Sequence, residues 1–263
     1  MKSNLKGRWA LVLGASSGFG EAISVELSSL GMNIIGVHLD RKGTLPHADE
    51  IVQKIRSQGT KAIFFNVNAA DRERRAEVIA EIQAHTEGGV HCVVHSLAFG
   101  TLKPFIAREE KDRVSQDQIQ MTLDVMAHSL VYWVQDLFQR NLLRRGGRVF
   151  AMTSSGSTRV WPTYGAVSAA KAALESHCRQ LTLELASEGI AVNAVRAGVT
   201  DTPALRKIPG NEKMVELASA RNPSGRLTTP QDVASMIGLL CHDEAAWLTG
   251  NVLGVDGGED IAG

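Results

Sequence analysis

Leu11-Val12-Leu13-Gly14-Ala15-Ser16-Ser17-Gly18-Phe19-Gly20 runs from a strand-like apolar stretch straight into a helical pattern. Glycine lets the backbone turn tightly and come close to a ligand, and the N-terminus of a helix favours negative charge. The Gly-x3-Gly-x-Gly spacing therefore predicts a cradle for a pyrophosphate, with Gly14, Ser16, Ser17, Gly18, Phe19 and Gly20 as candidate contacts. A glycine-rich turn is weak evidence alone; it gains weight here because it sits between a strand and a helix in the first such unit of the chain.

Outward from that turn, short apolar runs alternate with longer amphipathic stretches. The runs at 9–13, 33–37, 62–67, 90–95, 148–153 and 191–196 read as strands, and 20–30, 49–58, 73–85, 116–143 and 166–187 as helices. A last helix near 230–241 and a strand near 251–255 bring the strand count to seven. Continuously apolar strands with helices between them indicate a parallel sheet covered on both faces. The expected fold is thus α/β, a doubly wound, parallel, seven-stranded, Rossmann-like sheet in a single domain over 1–263. Residues 202–226 break the rhythm with Pro203, Pro209, Gly210 and Pro223 around a short helical pattern at 212–221. The segment follows a strand at the carboxyl edge of the sheet, where ligands bind in such folds, and reads as a substrate lid.

Composition narrows the function classes. Hydrophobic residues make up 44% and charged residues 21%, enough for a large core. Lys plus Arg and Asp plus Glu number 28 each with no basic run, so no footprint for nucleic acid or an anionic membrane surface is present. Cys92, Cys178 and Cys241 are scattered, without the spacing of a zinc site or a disulfide framework, and no metal site is expected. Neither a targeting segment, judged from Lys2 and Lys6 with no apolar stretch behind them, nor a membrane-length apolar run is found, so a cytoplasmic protein is expected.

The glycine spacing resembles the short-chain dehydrogenase/reductase superfamily, and the resemblance covers nearly the whole chain: Asn66-Val67 at the third strand end, where the family contacts adenine, and Asp232 with Val255-Asp256-Gly257-Gly258 near the C-terminus. Ordinary members carry Tyr-x3-Lys; counting back from Lys171, that Tyr position holds Val167. The nearby tyrosine is Tyr164, giving Tyr-x6-Lys, nearly two helical turns, which places both long side chains on one helical face. This arrangement is similar to the enoyl-acyl-carrier-protein reductases. So is His95-Ser96-Leu97-Ala98-Phe99-Gly100, where carbonyl-reducing relatives have Asn-Asn-Ala-Gly. The segment 124–129 lacks the Asn of the carbonyl reductases' proton relay, and Ala197-Gly198 replaces the common Pro-Gly.

The resemblance implies a set of roles. Tyr164 would stabilise the developing enolate oxygen of an α,β-unsaturated thioester and Lys171 would hold the nicotinamide ribose. Ser154, Phe99 and Gly100 would line the substrate pocket, and Asn66, Val67, Ser96, Leu97, Ala98, Gly198, Thr200 and Thr202 would contact the cofactor. Ser154 stands ten residues before Tyr164, where many enoyl reductases have a second Tyr, and also thirteen before Val167, where carbonyl reductases keep a Ser. His95 itself reads as a hydrogen-bonded structural residue rather than an acid or base. At the end of the second strand NAD-preferring members carry an acid; here the position is His38, followed by Asp40, Arg41 and Lys42. His38, Arg41 and Lys42 can pair with a 2′-phosphate, so NADPH is expected, with NADH left open by Asp40. The substrate is expected on an acyl carrier protein. Long helices at 116–143 and 166–187, with Trp133, Phe138 and Leu142 as core or interface, suggest the homotetramer common in the superfamily. The alternatives are a carbonyl or 3-ketoacyl reductase using Ser154 with Tyr164, and a non-catalytic dinucleotide sensor.

Overall fold

Seven parallel strands form one sheet in the computed structural model, which describes residues 5–262. The expectation about a targeting segment falls partly on residues 1–4, which with residue 263 lie outside the described residues. The strands are β1 (Trp9–Leu13), β2 (Asn33–His38), β3 (Ala62–Asn66), β4 (Val90–His95), β5 (Leu143–Ser154), β6 (Ala191–Ala197) and β7 (Val252–Val255), in the order β3-β2-β1-β4-β5-β6-β7. The order reverses between β1 and β4, which opens a crevice at their carboxyl ends.

The helices are α1 (Gly18–Ser29), α2 (Leu45–Ser57), α3 (Arg72–His85), α4 (Gln116–Leu123), α5 (Ser129–Gln139), α6 (Gly165–Leu185), α7 (Asn211–Arg221) and α8 (Pro230–Leu240). Successive strand residues point to opposite faces, and each face has its own core. Leu11, Leu13, Val93 and Val149 pack with residues of α3, α5 and α6, such as Val78, Trp133 and Leu174. Ala10, Val12, Val94 and Phe150 pack with residues of α1, α2 and α8, such as Ile23, Ile51 and Ile237. Burial on both faces is why these strands read as unbroken apolar runs.

Two elements differ from expectation. β5 begins at Leu143 rather than near 148, because Leu143 pairs with Val90 before a register shift at Val90/Cys92. The helical stretch at 116–143 is broken by a wider π-type turn over Asp124–His128, closed by the Ser129 N–H donating to Asp124 O. The Ser129 hydroxyl donates to Val125 O at 2.8 Å inside this turn. Such single-turn bulges concentrate at functional sites.

Trp133 and Leu142 are core residues, whereas Phe138 is 40% exposed. The three cysteines are free thiols, and two of them, the fully buried Cys92 and Cys241, meet across β4 and the end of α8. Among the described residues no group of His, Cys, Asp or Glu is arranged to hold a metal ion, and no helix is long and apolar enough to cross a membrane.

Candidate active site

The glycine-rich turn is built as a cradle. Gly14 N and Ala15 N both donate to Val37 O, at 2.7 and 3.1 Å, which ties the turn to the end of β2. Gly14 has φ +90°, and a Cβ there would lie 2.3 Å from Ser96 O; a Cβ on Gly20 would lie 2.0 Å from Gly14 O. Neither position has room for a side chain, so the backbone of the turn stays bare for a ligand, and Ser17 opens α1 behind it. Thr202 approaches Gly18, its Cγ2 3.5 Å from where a Gly18 Cβ would stand, so the loop after β6 closes over the turn. The residues present fit a dinucleotide: a bare pyrophosphate cradle at a helix N-terminus, at the reversal point of the sheet.

At the adenosine end the geometry departs from expectation. His38 is 6% exposed and its Nδ1 bonds Asp40 Oδ2 at 2.8 Å, so it is not free to meet a 2′-phosphate. His38 ends β2, and Asp40, in the turn two residues on, is the group that meets Ser16 of the glycine-rich turn. Burial works to raise the Asp40 carboxyl, but bonds from Ser16, Thr44 and His38 outweigh it and hold it below its ordinary value. Asn66 clamps Asp40 from β3, Oδ1 accepting from Asp40 N at 2.8 Å and Nδ2 donating to Asp40 O at 3.0 Å. Val67 N donates to His38 O at 2.8 Å. Arg41 is exposed and makes no ion pair among the described residues.

At the reacting end, Lys171 is buried on α6 and its Nζ donates to Met152 O at 2.6 Å. Burial lowers its value from 10.5 to about 8, and the charge of Glu175 opposes the drop. Tyr164 is the N-cap residue of α6, with ψ 1°, so its place is set by the turn before the helix rather than by helical periodicity from Lys171. Thr163 makes that turn with φ +64°, a left-handed conformation unusual for a β-branched residue, and its hydroxyl is buried with no partner among the described residues. The Tyr164 ring lies against Gly156, where a Cβ would stand 2.6 Å from Cε1. Burial raises the Tyr164 hydroxyl, and the Ser154 hydroxyl bonded to it pulls the other way. Ser154 is therefore Tyr164's partner.

Val167 is 5% exposed and packs over Gly100, whose Cβ would lie 2.8 Å from Val167 Cγ2 and 2.7 Å from Thr122 Cγ2. Phe99 is 57% exposed. Leu97 packs on the core, Ser96 N donates to Leu13 O at 2.8 Å, and Ala98 is exposed. His95 is fully buried; Nε2 bonds Ser129 Oγ at 2.8 Å, and burial lowers it from 6.5 to about 3, aided by the Lys171 charge. It is thus a buried residue held by a hydrogen bond through Nε2, while its Nδ1 has no partner among the described residues.

The segment after β6 includes α7, as expected, and the Trp161 Nε1 donates to Pro209 O at 3.3 Å, joining it to the Tyr164 loop. Thr202 Oγ1 accepts from Leu205 N at 3.2 Å and Thr200 Oγ1 donates to Gly198 O at 3.0 Å. Gly198 is packed between Thr228 and Glu259, and Val199 N donates to Glu259 at 3.0 Å, which leaves Gly198 little freedom beyond its backbone. Sequence reasoning missed Glu259, Glu175 and Phe105, whose ring lies 2.6 Å from where a Gly165 Cβ would be. Only an apolar residue in the loop after Gly100 hinted at Phe105.

Fold and site together define a dinucleotide-binding oxidoreductase with a Tyr/Lys pair at the carboxyl edge of a parallel sheet. Residues 14–259 match the family model described as Enoyl-(Acyl carrier protein) reductase, so the chain belongs to that family of short-chain dehydrogenases/reductases, NAD(P)-dependent oxidoreductases. It is 31% identical to the 3-oxoacyl-(acyl-carrier-protein) reductase of Pseudomonas aeruginosa over 97% of this chain and 98% of that one. It is 30% identical to versicolorin reductase 1 of Aspergillus parasiticus, over 97% of each chain. Its fold matches the crystal structure of an enoyl-(acyl-carrier-protein) reductase (NADH) from Aquifex aeolicus with a TM-score of 0.85, 25% identity and 98% coverage of both chains.

Proposed function

We propose that the chain reduces the carbon–carbon double bond of a trans-2-enoyl thioester carried on an acyl carrier protein. The observation that carries this reading is the placement of the aromatic hydroxyl. The position four residues before Lys171 holds the buried, hydroxyl-free Val167, and the tyrosine stands three residues earlier at the N-cap of α6. A donor displaced in this way suits an oxygen that is conjugated with, but distant from, the carbon receiving hydride.

The bound dinucleotide supplies the hydride. Tyr164 donates to the thioester oxygen, where negative charge grows as the β-carbon is attacked. Ser154, bonded to the tyrosine oxygen, supports that oxygen as its proton is drawn toward the substrate. Lys171 keeps a positive charge beside the pair and presents its remaining hydrogens to ribose hydroxyls, one being used by Met152 O. Burial of Lys171 and partial burial of Tyr164 limit the access of water to these interactions. The enolate's α-carbon then takes a proton from solvent water, completing the addition of hydride and proton across the double bond.

For the cofactor, the 2′-phosphate reading rests on Arg41 and Lys42 alone once His38 is taken by Asp40. A carboxylate bonded to Ser16 of the glycine-rich turn opposes a phosphate there, and NADH is the form this site favours. The exposed Phe138 and the long α6 support assembly into a tetramer.

A second reading, a 3-ketoacyl or other carbonyl reductase, is favoured by the Ser154–Tyr164 bond and by the relative named as a 3-oxoacyl-(acyl-carrier-protein) reductase. One preparation assayed on matched 2-enoyl and 3-ketoacyl thioesters separates them. Faster turnover of the 3-ketoacyl substrate refutes the enoyl reading.

A further inference from the structure

Three consecutive residues at the end of β5 each hold one side chain of the α6 region. Met152 O accepts from Lys171 Nζ at 2.6 Å, Thr153 Oγ1 donates to Glu175 Oε1 at 2.6 Å, and the Ser154 hydroxyl meets Tyr164. Lys171 and Tyr164 have roles in the proposed reaction, but Glu175 does not. It lies one helical turn beyond Lys171, on the same face of α6, and residues so spaced act on each other. Thr153 is buried, so its bond to the Glu175 carboxylate is sheltered from water.

We propose that Glu175, clamped by Thr153, is a positioning residue for Lys171: it holds that buried side chain in the ammonium form, aimed past the end of β5. The inference rests on the assignment of Lys171 to the cofactor ribose.

The surroundings of Lys171 leave Glu175 as the group suited to this task. From β4 comes His95, fully buried and kept neutral, with a value of about 3. Tyr164, before α6, is neutral because burial raises it. His128 and His177 bond each other at 3.0 Å, Nδ1 to Nε2, and burial with the neighbouring ring holds His177 below its usual value. Neither Glu175 nor Asp124, on the turn packed against α6, makes an ion pair with Lys171 among the described residues, but the charge of Glu175 acts on the ammonium and that of Asp124 does not. Without an anion, burial would continue to push the amine toward its neutral form. A neutral amine still accepts and donates hydrogen bonds, yet it no longer supplies positive potential to Tyr164 or a charge-assisted bond to ribose.

The test reads NADH affinity of the full chain by fluorescence from about pH 6 to about pH 9.5, with no acyl substrate, so failure of the enoyl reading does not affect it. Wild-type affinity is expected to weaken as the pH rises through about 8. Glu175→Gln keeps an acceptor for Thr153 but removes the charge. It should bring the weakening at least about half a pH unit lower, giving about 1.5-fold poorer binding near pH 7.5, about threefold poorer binding near pH 9 and near-equal binding near pH 6. Glu175→Asp should restore the wild-type profile, and Thr153→Val should shift it the same way as Glu175→Gln, by less. Superimposable profiles for wild type and Glu175→Gln, or an equal loss at every pH, overturn the proposal. If Glu175→Gln does not fold, Thr153→Val decides by the same outcomes. A wild type that binds no NADH overturns the Lys171 assignment and this inference with it.

Discussion

Replacing Tyr164 by Phe removes a single oxygen from the site. The ring, seated against Gly156, keeps its packing. The Ser154 oxygen loses the tyrosine but still accepts from Gly156 N at 3.3 Å, so no buried group is orphaned and folding loses only about 0.5–1.5 kcal/mol. The catalytic loss is larger, because the hydroxyl's bond to the substrate oxygen strengthens only as charge grows there. A donor of this kind contributes about 2–4 kcal/mol, which at about 1.4 kcal/mol per tenfold lowers the turnover number about 30- to 1,000-fold. The measurement is NADH oxidation on a trans-2-enoyl thioester, with NADH affinity and the urea midpoint determined on the same protein. A turnover number within about threefold of wild type, or a rise in KM with turnover unchanged, would show that Tyr164 does not act on the transition state.

The carboxylate at Asp40 should decide the cofactor: Asp40→Ser is expected to raise the ratio of kcat/KM for NADPH over NADH by about tenfold or more, and an unchanged ratio would remove Asp40 from that role. Thr163→Asn places a residue that tolerates the left-handed region at φ +64°, so the urea midpoint should rise by the equivalent of about 1 kcal/mol; no rise would mean that the turn is unstrained. Because burial lowers His95 from 6.5 to about 3, its contribution is complete above about pH 6.5 and is lost as the pH falls toward 3. His95→Gln should therefore flatten the fall in stability between neutral and acid pH, and an equally steep fall would assign the acid sensitivity elsewhere. Analytical ultracentrifugation should give a mass four times that of the chain; a monomer would refute the tetramer.

The sheet and the glycine-rich turn were legible in the sequence because both are local. A strand buried on two faces writes an unbroken apolar run, as in Trp9–Leu13, and a turn that must approach its own backbone as closely as Gly14 and Gly20 do requires glycine. The departure from Tyr-x3-Lys was legible too, since Val167 has no hydroxyl in any fold. The partners of these residues were not. His38 and Asp40 are two apart, and only the turn after β2, clamped by Asn66 from β3, decides which of them faces Ser16. Tyr164 and Lys171 have helical spacing, yet the positive φ of Thr163 puts the tyrosine at the cap, outside the periodicity. The Thr153–Glu175 and Cys92–Cys241 contacts join residues far apart along the chain. Residue type and local period set what each segment can become; which side chains meet is decided by long-range packing, whose contacts leave no periodic trace in the sequence.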